Sequence, residues 1–290
     1  MDAILEKFKV FLLETGQIQS EMTVESYLGN VKQLLVWLNE EQVELENLDR
    51  MLMISYLEYL KDRQYRPNTY NTKINSLVKF SQYLKDKAII EKDIVFGQDK
   101  IQHVGNREVE VYSDEEMELI EDYLADGEIS DRDRLIIQIL KATGIRVSEL
   151  TNLRLENIDL MGLEIEVTGK GNKRRVLPIK SSLANDIRMY ISGERKANKH
   201  SRSPYLFVSE RSNQLHRNTV LDITKNMGEK LSIEANNHKF RHTLATRMVR
   251  NGNINLKVVQ ELLGHASIDT VFEYYISTSK EELRNALENI

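Results

Sequence analysis

The 290 residues are 41% hydrophobic, include no cysteine and carry a formal net charge of −5. A chain of this length is near the size at which one core usually becomes two, so we expect two domains. The lack of cysteine excludes disulfides, thiol nucleophiles and cysteine-ligated zinc. Charged residues among the first nine argue against a signal peptide, and no apolar run approaches the roughly 20 residues of a membrane span, so we expect a soluble, cytoplasmic protein.

Basic residues are concentrated in one part of the chain. Residues 168–250 contain 18 Lys and Arg against 6 Asp and Glu, so this segment carries +12 while the remainder carries −17. A surface that follows a phosphate backbone needs such a concentration, although a solvated face is the commoner cause of a charge run. The distribution therefore favours a nucleic-acid partner more than the net charge does.

The first 87 residues predict a bundle of four amphipathic helices, which we interpret as a separate domain, 1–87. Thr23 is the predicted N-cap of the second helix. The third helix is expected over about 49–63, and the fourth is expected to follow Pro67, a residue favoured at the first helical position.

The connection between the third and fourth helices mixes basic, amide and aromatic side chains. Such a mixture suits an edge that faces DNA, and it also suits a polar loop leading into a capped helix. Both interpretations stay open. The candidate DNA contacts here are Arg66, Asn68, Thr69, Tyr70 and Lys73.

Residues 88–112 lose the apolar period and are the predicted linker. Ser113 and Glu116 then form a predicted capping box, which opens the second domain, 113–290. The next helix, over about 131–142, is apolar over most of its surface and is expected at the centre of that domain.

The next predicted helix begins at an arginine, and a short predicted hairpin follows that helix. Arg146 begins that helix and could merely pair with Glu149. Alternating apolar residues at 163–167 and an extended run at 176–179 flank Lys170, which should therefore lie at a hairpin tip between two glycines. A lysine there can approach a ligand closely, or it can simply make a surface turn soluble.

The region after the hairpin completes the expected fold class. A helix is predicted over about 182–192 and an extended run over 205–208, and basic loops are expected from there to residue 237. Together with the bundle, this pattern predicts a mainly α protein with a small β-sheet in its second domain.

The last part of the chain places several chemically active side chains at the ends of elements. His238 and Arg241 are three residues apart and share a helical face, and His265 directly follows a predicted glycine stop. A final helix then carries Tyr274 and Tyr275. Element ends are where side chains from distant segments can converge.

The candidate site residues are cations, imidazoles and one phenol. They include no carboxylate cluster of the kind that holds a metal, so no metal or cofactor is expected. Two arginines can clamp the non-bridging oxygens of a phosphodiester, and a phenol can attack it to form a phosphotyrosine. The set therefore suits phosphoryl transfer. Its members are Arg146, Glu149, Lys170, His238, Arg241, His265 and Tyr274.

The sequence resembles the tyrosine recombinase, or phage integrase, family. The matching motifs are TGIRVSEL at 143–150, GKGNK at 169–173, HKFRHT at 238–243 and LLGH at 262–265, with Tyr274 nine residues after His265. Each motif alone is weak, but their order and spacing together are specific. The helical bundle also resembles the SAM-like core-binding domain of the family.

The resemblance implies that Tyr274 attacks the scissile phosphate, forming a 3′-phosphotyrosyl link and freeing a 5′-hydroxyl. Arg146 and Arg241 would hold the phosphate. Adjacent residues on a helix point about 100° apart, so only one of the two tyrosines can face the phosphate, and the spacing favours Tyr274 over Tyr275.

The other family positions imply supporting roles. His265 would donate a further hydrogen bond to the phosphate, His238 would assist proton removal from the tyrosine, and Lys170 would protonate the departing oxygen. Glu149 would support these groups without contacting the phosphate itself. Four neighbouring residues are further candidate DNA contacts: Lys173, Arg174, Arg175 and His242.

The family also implies a two-domain DNA clamp, four protomers on two specific recombination sites, sometimes with a second recombinase, and a four-way junction intermediate. A final helix over 281–290 would dock on a neighbour, or alternatively on its own domain. The chain resembles compact Xer-like members that resolve chromosome or plasmid dimers, or transposon cointegrates. Integration or excision of a mobile element, a type IB topoisomerase and a non-catalytic DNA-binding protein are the alternatives.

Overall fold

The computed structural model describes residues 1–14, 21–102, 110–250 and 255–264. The chain divides into two compact units, Met1–Asn106 and Arg107–Ile290. Within the described residues, no helix combines the length and the apolar character that crossing a bilayer would require.

Four α-helices form the first unit, as the periodicity predicts: α1 (Asp2–Glu14), α2 (Glu21–Glu40), α3 (Arg50–Asp62) and α4 (Pro67–Asp86). Their apolar faces meet in one core that includes Phe8, Leu34 and Leu60, each fully buried. Burial of this shared face stabilises helices that would be marginal alone. The predicted cap Thr23 is wrong, because it lies inside α2.

The chain after α4 stays with this bundle. Ile90, Ile94 and Val95 are buried in its core. Arg50 donates two hydrogen bonds to Asp99, at 2.8 and 2.6 Å, and one to the carbonyl of Ile94 at 2.8 Å. Apolar contacts and one ion pair therefore attach the first part of the predicted linker, 88–112, to α3 and α4.

The second unit surrounds its core with helices α5 (Asp114–Ala125), α6 (Asp131–Thr143), α7 (Val147–Thr151), α8 (Ser181–Ser192), α9 (Glu194–Ala197), α10 (Arg217–Leu231), α11 (Asn237–Arg250) and α12 (Leu256–Leu263). Ser113 caps α5 through the predicted capping box with Glu116. Ile136, Ile137 and Ile139 of α6 are fully buried, so the prediction of a central helix is confirmed.

A three-stranded antiparallel sheet lies against these helices, in the order β1 (Ile158–Asp159), β2 (Glu164–Thr168) and β3 (Arg174–Pro178). Ile165 pairs with Leu177, and both side chains are buried in the core of the unit. The prediction of a mainly α fold with a small sheet is confirmed.

Helix α10 is a difference from the sequence-based expectation, which placed basic loops there. Val220, Ile223, Thr224 and Met227 recur at helical spacing and are buried. Residues 205–208 were expected as a strand but form only one bridge, between Arg154 and Tyr205.

Candidate active site

Arg146 lies at the N-cap of α7, two residues after the left-handed Gly144 that ends α6. Its backbone N–H donates to Oε2 of Glu149 at 2.9 Å, and its Nη1 donates to Oε1 at 3.1 Å. The guanidinium also reaches the carboxyl end of α12, with Nη2 donating to the Gly264 carbonyl at 3.2 Å. Its side chain is 35% exposed, so one side stays open to a ligand.

Arg241 approaches the same place from α11, and its side chain is buried. Its Nη1 donates to the carbonyl of Gly144 at 2.7 Å, and its Nη2 donates to the carbonyl of Leu263. Gly144 has a φ of +59°, and a Cβ at this position would stand 3.2 Å from the side chains of Leu244 and Leu263. Glycine here therefore allows α6, α11 and α12 to approach closely.

The carbonyl of Leu263 joins the two arginines. Arg146 Nη1 donates to it at 3.4 Å, and Arg241 Nη2 donates to the same oxygen. The last carbonyls of a helix lack intrahelical donors and form the negative end of its dipole, so cations are favourable there. Two guanidiniums that lie far apart in sequence thus converge on a single oxygen at the end of α12.

Glu149 is buried between two guanidiniums. Burial disfavours its charged form, but the hydrogen bonds from Arg175 and from the backbone of Arg146 outweigh that effect and hold the pKa of Glu149 below its usual value. The carboxylate therefore stays ionised. The carboxylate's two-point partner is Arg175, one of the candidate DNA contacts.

The turn that carries Lys170 joins β2 to β3. Thr168 pairs with Arg174, and the N–H of Gly169 donates to the carbonyl of Lys173 at 2.8 Å. Gly171 has a φ of +74°, which a side chain would disfavour. The backbone of Lys170 therefore lies at a hairpin tip, as the alternation predicts.

His238 and His242 lie on one face of α11, with ring centroids 6.4 Å apart. The His238 side chain is open at the surface, yet partial loss of water around its ring, followed by the charges of Arg241 and Arg146, lowers its pKa. His238 is therefore neutral near pH 7 and able to accept a proton. Burial, followed by the charges of His238 and Arg241, lowers the pKa of half-buried His242 to about 4, so it brings no positive charge to a phosphate at neutral pH.

A cleft of about 790 Å³ opens beside Arg146 and the carboxyl end of α12. Gly264, Lys173 and Arg174 also line it. Lys173 and Arg174 are exposed, and Arg174 forms a loose pair with Glu166 at 3.3 Å. Both are thus placed where a polyanion can reach them.

The predicted contacts of the first unit separate into two groups. Arg66, Asn68 and Thr69 are exposed at the start of α4. Tyr70 and Lys73 instead make contacts inside the bundle. Tyr70 is buried in the bundle core, and burial, followed by the charge of Asp99, raises its pKa.

Lys73 is engaged within its own bundle. Its Nζ donates to Oδ1 of Asn30 at 3.2 Å and to Oε1 of Gln33 at 2.6 Å, and it lies 4.7 Å from the centroid of the Tyr65 ring. These contacts join α2 to α4 and satisfy the ammonium without a ligand.

Sequence comparison decides the family. The profile of the phage integrase family matches residues 110–282, and that of the phage integrase N-terminal SAM-like domain matches residues 5–88. The chain belongs to the phage integrase family. It is therefore an enzyme of the tyrosine recombinase type, which cleaves and religates DNA strands in site-specific recombination.

Relatives resemble this recombinase over nearly its whole length. A tyrosine recombinase of Pseudothermotoga lettingae is 31% identical, covering 97% of this chain and 96% of the relative. Tyrosine recombinase XerC of Staphylococcus epidermidis is 30% identical, covering 100% and 97%. The Tn1549 transposon integrase, solved in complex with transposon right-end DNA, shares the fold with a TM-score of 0.74 at 18% identity, covering 99% of this chain and 98% of the other.

Three predicted elements of the recombinase lie outside the described residues: His265, the pair Tyr274 and Tyr275, and the helix over 281–290. The described structure ends at Gly264, where the carbonyls that accept from Arg146 and Arg241 immediately precede His265 in the chain.

The stability of the recombinase should fall as the pH drops from about 6.5 to about 4 because of His242. In the unfolded chain this residue is protonated below about 6.5, whereas the folded protein keeps it neutral down to about 4. The free energy of unfolding should therefore fall less between pH 7 and pH 4.5 in His242→Gln than in the unsubstituted protein. We expect the difference to be about 1 to 3 kcal/mol, since one pKa unit corresponds to about 1.4 kcal/mol. Urea unfolding of both proteins at the two pH values measures this difference, and parallel losses would contradict it.

Proposed function

We propose that this recombinase cleaves and rejoins double-stranded DNA at a specific site through Tyr274, by way of a 3′-phosphotyrosyl intermediate and a four-way junction. The observation that carries the proposal is the convergence of Arg146 and Arg241 on one oxygen, the Leu263 carbonyl. Two cations that can reach one oxygen atom can also hold two oxygens of one phosphate.

The transfer conserves the number of phosphodiester bonds. In the first step, the Tyr274 oxygen forms a bond to phosphorus as the bond from phosphorus to the 5′-oxygen breaks. In the second step, the free 5′-hydroxyl attacks the phosphotyrosyl link formed on a second DNA strand and releases the tyrosine there. Arg146 and Arg241 stabilise the negative charge that develops on the non-bridging oxygens. Neither water nor a nucleotide is consumed, because the phosphotyrosine keeps the bond energy.

Two residues are proposed to move the protons. His238 takes the proton of the attacking phenol, a role supported by its lowered pKa and by its position one turn before His242 on the open face of α11. Lys170, at the tip of the β2–β3 hairpin, gives a proton to the departing 5′-oxygen. His265 donates a hydrogen bond to the phosphate.

The proposed DNA contacts are those candidate residues that are exposed. They are Arg66, Asn68 and Thr69 in the first unit, and Lys173 and Arg174 in the second. Phosphate contacts by such cations position a protein on DNA. The proposed assembly has four protomers on two sites.

The proposed biological role is the resolution of DNA dimers or cointegrates, which the family resemblance implies for compact members. The end-to-end match with relatives such as the XerC recombinase supports this role. Recovering the genomic DNA that the protein protects from nuclease tests it, since sites at the ends of a mobile element would favour integration or excision instead.

Trapping a covalent complex tests the chemistry. The protein is incubated with a duplex that it selects from a random-sequence pool, carrying a nick close to the scissile phosphate so that the short 5′-end diffuses away after cleavage. We expect a protein–DNA adduct that survives denaturation. Specific binding to this duplex without any adduct would support a DNA-binding protein that lacks the chemistry.

Cleavage and strand exchange should also proceed in excess chelator with no nucleotide present. The cationic side chains do the work that a metal does in other phosphoryl-transfer enzymes, so the single-turnover cleavage rate should change by less than about threefold. Measuring that rate with chelator and with added magnesium makes the test. A strict magnesium requirement for cleavage would contradict the mechanism, whereas an effect of salt on assembly would not.

A further inference from the structure

Arg175 points inward although it belongs to a run of three consecutive cations. Its Nη1 and Nη2 donate to Oε1 and Oε2 of Glu149, each at 2.8 Å, and its Nε donates to the carbonyl of Leu262 at 2.8 Å. Its side chain is 13% exposed, and that of Glu149 is 3% exposed. The planar guanidinium therefore forms a two-point ion pair with a buried carboxylate and a third bond to the end of α12.

Two glycines leave room for this ion pair. A Cβ on Gly169 would lie 3.1 Å from Oε1 of Glu149, and a Cβ on Gly264 would lie 2.9 Å from Nη1 of Arg175. Gly169 begins the turn that carries Lys170, and Gly264 ends α12. The ion pair is thus enclosed by the hairpin turn, by α7 and by the carboxyl end of α12.

The same carboxylate also holds Arg146, whose Nη1 donates to Oε1 of Glu149 at 3.1 Å. Without Arg175, the buried carboxylate would lose two of its hydrogen-bond donors and would attract Arg146 more strongly. Arg146 would then be held away from a phosphate, and β3 would lose a bond to α12. A displacement of about 1 Å at a reacting centre can lower a rate by about 100-fold.

We propose that Arg175 is a positioning residue, which locks the hairpin of Lys170 and the end of α12 onto the carboxylate that orients Arg146. The proposal rests on the proposed function, since positioning has meaning only if Arg146 and Lys170 act on a phosphate. Arg175 acts through these neighbours and makes no contact with DNA of its own.

The test compares Arg175→Gln with Arg174→Gln, the exposed neighbour on the same strand. With the nicked duplex at saturating protein, Arg175→Gln should slow single-turnover formation of the Tyr274 adduct by about 100-fold and change the dissociation constant by less than about threefold. Arg174→Gln should instead weaken binding and reduce its salt slope by about 1, as loss of a phosphate contact does. An affinity loss without a slower cleavage step in Arg175→Gln would make it a DNA contact and overturn the proposal.

A cycle with Glu149→Gln separates positioning from a general loss of folding. Because the two side chains act as a unit, the double variant should cleave much faster than the product of the two single effects predicts. It also removes both charges of the buried pair together, so it remains informative if Arg175→Gln alone unfolds. In that case Glu149→Gln and the double variant should form the adduct at rates within about tenfold of each other, and a larger gap would overturn the proposal.

The outcome for the unsubstituted protein distinguishes the two proposals. If it forms no adduct through Tyr274, the proposed function fails. If it forms the adduct and Arg175→Gln cleaves at the same rate, only the positioning role fails.

Discussion

Tyr274→Phe should abolish covalent attachment to DNA while leaving the affinity for the recombination site unchanged. The substitution removes one oxygen atom, the proposed nucleophile, and keeps the ring and the basic surface of the second unit. Loss of the attacking atom should lower adduct formation by more than about 1000-fold, to the background of the assay. The measurement is adduct formation on the nicked duplex, with binding followed separately by gel shift.

Tyr275→Phe is the matched control, because it removes the same atom from the adjacent residue. It should retain the adduct, since in the predicted final helix neighbouring residues point about 100° apart, so that only one tyrosine can reach the phosphate. Mass spectrometry of the DNA-linked peptide identifies the attached tyrosine directly. Linkage at Tyr275 would reverse the assignment and would place the nucleophile ten residues after His265.

Residue periodicity explains which parts of the fold could be predicted. The bundle helices and α6 follow from apolar stripes, and the hairpin follows from alternation around two glycines. Helix α10 was missed although its apolar residues recur at helical spacing, because the charged residues between them resemble a loop. Its start lacks the Ser, Thr, Asp or Asn that usually announces a helix, since His216 is the cap.

The same periodicities could have corrected two of the predicted DNA contacts. Along β3, Arg175 is two residues from buried Leu177 and so lies on the inward face, whereas Arg174 lies on the outward one. Along α4, Tyr70 is four residues before buried Ile74 and belongs to the same stripe. Composition suggested a basic and aromatic edge, but the position of each residue in its element decides its exposure.

Convergence at the candidate site could not be derived from local pattern. Arg146 and Arg241 lie on different helices, and what brings them together is their shared acceptor at the end of α12. The binding of Lys73 by Asn30 and Gln33 is likewise a contact between distant segments. Side-chain chemistry and the order of the family motifs group the two arginines in the sequence, but neither identifies the carbonyl on which they converge.

Lys170→Ala should cleave ordinary DNA about 100 to 10,000 times more slowly than the unsubstituted protein, which is the usual contribution of a general acid. The departing 5′-oxygen is an alkoxide, too basic to leave easily without a proton. Glycine on both sides of Lys170 at the hairpin tip allows the backbone there to approach a ligand closely.

Replacing the bridging 5′-oxygen by sulfur should remove most of this defect. A thiol has a pKa of about 8.5, so a thiolate departs without an acid. Lys170→Ala should therefore cleave the sulfur-bridged DNA at nearly the rate of the unsubstituted protein. Single-turnover cleavage of both substrates by both proteins gives the comparison.

Arg146→Ala provides the contrast, because its proposed action is on the non-bridging oxygens, which the sulfur leaves unchanged. Its guanidinium lies at the N-cap of α7 beside Glu149 and the end of α12, where it can neutralise charge but has no proton to give. Sulfur should therefore rescue Arg146→Ala far less than Lys170→Ala. If sulfur rescues Arg146→Ala and leaves Lys170→Ala slow, the two roles are reversed, and the hairpin lysine is a phosphate contact rather than the acid.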